Sequence, residues 1–182
     1  RIRAISESLL AEYRHVSTSG LRSTTGGRQV LVESFDANAL IAQLLEEKKS
    51  EFKHRQGLSW ELISDDKVEL KIPRLAFLRV MSNLLNNAAE GVDVEGSVQV
   101  TIRRNSKKFL IKIADTGKGI PTEVLKKIGK ERVTFGKENG NGLGLSYVFD
   151  QASHWGAMVK VNSSLGRGTV VILEIPESAK KE

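Results

Sequence analysis

Between Pro73 and Gly91 the chain carries Leu75, Leu78, Met81, Leu85 and Ala88 at intervals of three and four, the spacing that gathers apolar side chains on one face of a helix. The same stretch places Asn83, Asn86 and Asn87 within five positions, although asparagine costs roughly 0.6 kcal/mol relative to alanine inside a helix. Such a helix needs a packed layer against its apolar face and a reason for its amides. Asn83 and Asn87 stand one turn apart, with about 6 Å between their β-carbons. Two carboxamide oxygens there suit a hard cation such as magnesium, which also takes phosphate oxygens. A solvated polar face behind Met81 and Leu85 explains the same residues, and the helix alone does not choose.

The rest of the chain supplies the layer. Gln29 to Phe35 reads as a strand, and Asp36 is placed to cap a helix carrying Leu40, Ile41, Leu44 and Leu45. Leu58 to Ile63 and Val68 to Ile72 read as short strands separated by Asp65 and Asp66, and Ser97 to Arg103 and Phe109 to Ala114 as two more. A third helix spans about Leu143 to Ala152, and two strands, Met158 to Asn162 and Thr169 to Ile175, follow. This mixture predicts an α+β domain, a sheet with helices on one face. Ahead of it, Ile2, Ile5, Leu9, Leu10, Tyr13 and Val16 form a helical stripe that ends in Ser17 to Gly20 and a second loop, Ser23 to Gly27. A lone helix of that length is marginal in water, so its stripe requires a partner. The expected division is a helix over 1–19, a linker over 20–28, the main domain over 29–176 and a polar tail over 177–182.

Composition removes several classes of chemistry. With no cysteine and three scattered histidines, the chain has no disulfide framework, no thiolate nucleophile and no histidine-rich metal cluster. A net charge of +6 suits an anionic partner, be it nucleic acid, a membrane surface or phosphate, and equally a plain solvated basic surface; aromatics at 5% supply few platforms for stacked bases. No run approaches the roughly 18 apolar residues of a membrane helix. The chain begins at Arg1 without a signal peptide and reads as an excised fragment.

Three glycine-rich segments accompany the asparagines. Asp115-Thr116-Gly117-Lys118-Gly119-Ile120-Pro121 follows a strand; its aspartate can accept from an exocyclic amine and its glycines admit a flat ring, though a plain turn uses the same residues. Gly136 to Ser146 runs from a glycine-rich loop straight into a helix, an arrangement that suits phosphate oxygens, with Lys137 as an added point charge. It is not a P-loop, since no Gly-Lys-Ser/Thr closes the required spacing, nor a dinucleotide fingerprint, since Leu145 stands where the third glycine belongs. Gly166-Arg167-Gly168-Thr169 joins the last two strands, and hairpin chemistry accounts for its glycines. Thr169 is in addition placed to point a hydroxyl toward Asp115 if their strands are neighbours.

In this order the four elements resemble the ATP-binding catalytic domain of bacterial sensor histidine kinases, in the GHKL superfamily shared with gyrase, a heat-shock chaperone and mismatch-repair ATPases. Asn83 to Ala88 is similar to the N box, Asp115 to Ile120 to the first glycine box, Gly140 to Leu145 to the second, and Gly166 to Thr169 to the glycine-threonine turn. The resemblance covers about Gln29 to Pro176. It implies a two-layer α/β sandwich with a mixed, mostly antiparallel sheet, preceded by one helix.

Carried to this chain, the resemblance implies that Asn87 coordinates Mg2+ with Asn83 assisting, and that Asp115 receives the adenine amino group of ATP. It implies that Gly117 and Gly119 shape the adenine pocket with Ile120 and Leu143 as apolar contacts. Gly140, Gly142 and Gly144 would hold phosphates, Lys137 would reach them from a lid over about Thr122 to Asn141, latched by Phe135, and Thr169 would support Asp115. The chain departs from the family at Ala89-Glu90-Gly91, where many members carry a basic residue and an aromatic, and in a lid without the usual run of aromatics. The leading helix looks like the end of a dimerisation and phosphoacceptor hairpin. The family's phosphoacceptor pattern, a histidine followed by an acidic residue, is absent: His15, His54 and His154 lack that context. The implied whole is a cytoplasmic kinase domain, its parent protein dimeric through the hairpin and able to be membrane-anchored. Its partners would be that hairpin and a response-regulator receiver domain, with no nucleic acid and no membrane contact by this piece.

Overall fold

A computed structural model describes residues 34–64, 67–129 and 143–177. The chain divides into two units, Arg1–Leu31 and Val32–Glu182, and every described residue belongs to the second. The expected leading helix, the linker, most of the Gln29 to Phe35 strand, Phe135, Lys137, Gly140, Gly142, the lid from 130 onward and the tail beyond 177 lie outside the described residues, as does the side chain of Leu143.

The first element is a two-residue strand, β1 (Phe35–Asp36). Asp36 ends it and starts α1 (Ala37–Glu51), accepting at Oδ1 from the amides of Asn38 at 2.9 Å and Ala39 at 3.2 Å, which satisfies two donors that a helix start leaves unpaired. Next come β2 (Leu58–Ser64) and β3 (Glu69–Leu70). The longer strand expected over Val68 to Ile72 shrinks to those two residues, which pair with β1, while Val68, Leu70 and Ile72 all point into the core. The asparagine helix is α2 (Arg74–Gly91). Its buried face is Phe77, Val80, Met81, Leu84, Leu85 and Ala88, whereas Leu75, expected inside, is 43% exposed. Two residues from Phe77, Leu75 lies about 200° round the helix, on the side turned from the sheet.

The main sheet combines β2 with β4 (Gly96–Asn105), β5 (Lys108–Asp115), β6 (Met158–Ser163) and β7 (Thr169–Pro176) in the order β2-β4-β5-β7-β6. Only β2 and β4 are parallel, and the crossover that parallel pairing demands is the segment carrying α2. A short α3 (Thr122–Leu125) and α4 (Leu143–His154) complete the described elements. Val98, Val100 and Ile102 of β4, Phe109, Ile111 and Ile113 of β5, and Leu173 and Ile175 of β7 form one buried face with the helices against it. Phe77 packs between the β1–β3 pair and the end of α4, with ring centroids 5.3 Å from Phe35 and 6.4 Å from Trp155. Among the described residues, no helix is long and apolar enough to cross a membrane.

On the opposite face of the sheet, Glu174 is held between Lys160 and Lys108, the latter at 3.3 Å. The hydrogen bond from Lys160, aided by Lys108, keeps its carboxyl below the ordinary glutamate value. A lowered folded-state value contributes stability that is present above the unfolded value and is lost as the pH falls through the folded one. Glu174→Gln is expected to cost about 1 kcal/mol or less at neutral pH, as for other solvent-screened pairs, and to remove that part of the acid sensitivity. Urea unfolding at neutral and acid pH measures it; an unchanged difference between the two would show that the carboxylate contributes nothing.

Candidate functional site

Strand register builds the site. Val98 pairs with Asp115, Asp115 with Thr169, and Thr169 with Ser163, so the four form one row across the end of the sheet. Side chains alternate along a strand, and Asp115 continues the inward series Phe109, Ile111, Ile113. A carboxylate therefore occupies a core-facing position at the mouth of the sandwich.

Backbone donors fix that carboxylate. Oδ1 accepts from the amide of Gly117 at 2.9 Å and of Thr169 at 3.2 Å. Among the described residues Oδ2 takes no such bond, and it remains as the acceptor. Burial pushes the Asp115 carboxyl above its ordinary value, and the two amides only partly offset this. Thr169 thus supports Asp115 through its main chain, whereas the expectation placed its hydroxyl there. That hydroxyl lies 2.9 Å from Ser163 Oγ. Ser163 accepts from the amide of Ile120 at 2.8 Å and donates to the carbonyl of Gly168 at 2.8 Å. Its single proton is then committed, so Thr169 is the donor between the two hydroxyls. Ser163, which ties the Ile120 turn to the Gly168 turn, carries no motif signal; its inward place opposite Thr169 follows from register.

Three of the glycines stand where no side chain fits. A β-carbon on Gly117 would lie 2.2 Å from the carbonyl oxygen of Gly91, one on Gly119 would lie 2.0 Å from that of Ser164, and one on Gly168 would lie 1.9 Å from that of Asp115. At each of them the chain's own backbone occupies the place of a side chain. Gly119 and Gly168 also adopt positive φ, at 69° and 81°. Lys118 donates its amide to the carbonyl of Gly91 at 2.8 Å and accepts at its own carbonyl from Gly166 at 2.7 Å. The first glycine box is thereby clamped between the end of α2 and the β6–β7 turn. The residues that open the expected lid, Thr122 to Leu125, form α3.

The helix α2 connects the two ends of the site. Asn83, Asn87 and Gly91 follow one another at four-residue steps, and a β-carbon on Gly91 would stand 3.6 Å from Asp115 Oδ1. Asn83, roughly 12 Å back along the axis, donates from Nδ2 to the carbonyl of Gly144 in the first turn of α4 at 3.4 Å. Arg79, one turn earlier, lies over the ring of Tyr147, 4.2 Å from its centroid. One end of the α2 face thus meets a hydrogen-bond acceptor, and the other meets the amide-rich start of a helix, where anions are favoured. Half-buried Asn83 and Asn87 offer carboxamide oxygens, and no group of three or more acidic or histidine side chains among the described residues is placed to hold a metal. A donor set of neutral oxygens fits a cation that keeps waters and shares phosphate oxygens, the habit of Mg2+.

The two described histidines make their contacts elsewhere. His54 stacks on Phe52, with centroids 6.3 Å apart. His154 is exposed at the last turn of α4, its Nδ1 2.8 Å from the carbonyl of Asp150, roughly 15 Å along the helix from Gly144.

Comparison with known proteins agrees with the geometry. Residues 73–179 match the model of the family described as histidine kinase-, DNA gyrase B- and HSP90-like ATPase. Sporulation kinase C of Bacillus subtilis is 30% identical over 141 residues, which cover 78% of this chain and 30% of that protein. The alginate biosynthesis sensor protein KinB of Pseudomonas aeruginosa is 31% identical over 158 residues, covering 85% and 26%. The chain thus spans less than a third of the length of these curated relatives. The catalytic domain of the histidine kinase ThkA superposes with a TM-score of 0.71 at 23% identity, covering 81% of this chain and 96% of that one, which establishes the shared fold. The chain belongs to the histidine kinase-, DNA gyrase B- and HSP90-like ATPase family, and its described domain is an ATP-binding catalytic domain of the sensor histidine kinase kind.

Proposed function

We propose that this domain binds Mg-ATP along the α2 face, adenine at Asp115 and phosphates at the start of α4. It then passes the γ-phosphoryl to a histidine nitrogen on a helical hairpin, for relay to an aspartate of a response-regulator receiver domain. The observation that carries this reading is the layout of α2, which joins a fixed carboxylate acceptor at Gly91 to a helix start at Asn83. Gly117, Gly119 and Ile120 shape the base end, and Gly144, with Gly140, Gly142, Leu143 and Lys137, serves the phosphate end. Asn87 and Asn83 are the Mg2+ ligands, and the bound ion supplies neutralisation of phosphate charge.

Asn83 also restrains side chemistry. A carboxamide cannot take a proton from water at neutral pH, so hydrolysis is slow and the phosphoryl is kept for a protein nucleophile. The complete protein acts as a cytoplasmic dimer in a two-component relay. Asn87→Ala is expected to lower ATP affinity ~10- to 100-fold in the presence of Mg2+ and to leave affinity in chelator unchanged. Calorimetry with and without Mg2+ decides, and equal loss in both conditions would remove Asn87 from the metal. Transfer of radiolabel from [γ-32P]ATP to a supplied hairpin tests the kinase step; binding without transfer would favour a nucleotide-sensing module.

A further inference from the structure

Arg55 lies in the turn between α1 and β2, outside every motif, and its guanidinium reaches the end of α2. Nη1 donates to the carbonyl of Ala89 at 2.6 Å, and Nη2 to those of Val92 and Asp93. The Ala89 carbonyl also takes the Val92 amide at 3.2 Å, Val92 and Asp93 follow just past the helix, and α2 has no basic residue in its own last turn to meet the negative end of its dipole. The cap therefore comes from far upstream as charge-assisted bonds from one planar fork. Close packing makes it possible: a β-carbon on Gly57 would lie 2.4 Å from the carbonyl of Val94, and Gly96 donates to the carbonyl of Gly57 at 2.9 Å.

The segment Arg55 holds is one wall of the base end. Gly91 receives the Lys118 amide and lies against Gly117, and a β-carbon on Gly96 would lie 2.4 Å from Thr116 Oγ1. Contacts thus run without a gap from Arg55 through 89–96 to 115–118. We propose that Arg55 is a positioning residue for base recognition: by fixing the end of α2 it sets the gap between that backbone and the Asp115 carboxylate, and so sharpens selection of a 6-amino over a 6-oxo purine. The inference rests on the reading of Asp115 as the base acceptor.

Calorimetry of the chain with Mg-ATP and Mg-ITP, on wild type, Arg55→Met and Arg55→Lys, tests it. Wild type prefers ATP. In Arg55→Met, ATP affinity is expected to fall about tenfold while ITP affinity changes less than about twofold. Lysine, whose donors sit on one atom and lack the span of the planar fork, restores part of the preference. A purely structural clamp predicts a lower melting temperature with the ATP-to-ITP ratio unchanged in protein that circular dichroism shows folded, and that result overturns the proposal. Should Arg55→Met not fold, the ratio in Arg55→Lys decides in the same way. A wild type that does not distinguish the nucleotides, or an Asp115→Asn variant that keeps the distinction, overturns the base-acceptor reading itself and the inference with it.

Discussion

Asp115→Asn is expected to lower ATP affinity at least ~100-fold, about 2.7 kcal/mol, while the protein stays folded. The amides of Gly117 and Thr169 both point at Oδ1, so the asparagine must turn its own oxygen to them to avoid donor facing donor. Its NH2 then stands where Oδ2 was and confronts the purine amine. Near-isosteric replacement keeps the backbone bonds, which is why binding and stability separate. Calorimetry and thermal unfolding on the same variant check this, and retained affinity would place the base elsewhere.

The pH dependence has a matching sign. Burial raises the Asp115 carboxyl, so wild-type ATP affinity should begin to decline, as the pH is lowered, before an ordinary carboxylate would protonate, because protonated Oδ2 donates instead of accepting. In the nucleotide-free protein the folded state binds that proton more readily than the unfolded chain. The contribution of this group to stability therefore falls as the pH rises from the ordinary carboxylate value through the raised one. Asp115→Asn should show neither effect.

The second large effect is structural. Gly168→Ala is expected to destabilise by about 3 kcal/mol or more, lowering the melting temperature by about 10 °C. Two terms combine: a left-handed backbone at φ 81° and a β-carbon 1.9 Å from the Asp115 carbonyl, which only movement of the β5–β7 register can relieve. Gly166→Ala in the same turn isolates the first term. Gly166 has φ 75° but nothing within 4 Å of its β-carbon, so its cost is about 1–2 kcal/mol. Equal shifts in the two variants would mean that the approach to Asp115 is unimportant.

These residues also show how far reading along the chain reaches. Periodicity located α2 from Pro73 to Gly91 within a residue, and the cap at Asp36 stands as expected, because both depend on neighbours within about four positions. The length of β3 and the exposure of Leu75 differ from what local pattern predicts, since they depend on what packs against them. The clamp by Ser163 and the cap by Arg55 left no local trace: each joins segments tens of residues apart, and serine in a strand or arginine in a turn has many ordinary uses.

Local pattern by itself determined α1, α2 and α4, most of the described strands, and which residues could carry chemistry, since hydrophobic spacing, capping and glycine content act over a few bonds; the short α3, inside the expected lid, escaped it. Only the tertiary structure decided what the glycines are for, which atom of Thr169 meets Asp115, and that the end of α2 forms a wall of the site. Those outcomes depend on strand register and on carbonyls brought together by folding, and a shift of one residue along β5 or β7 would turn Asp115 or Thr169 to the opposite face.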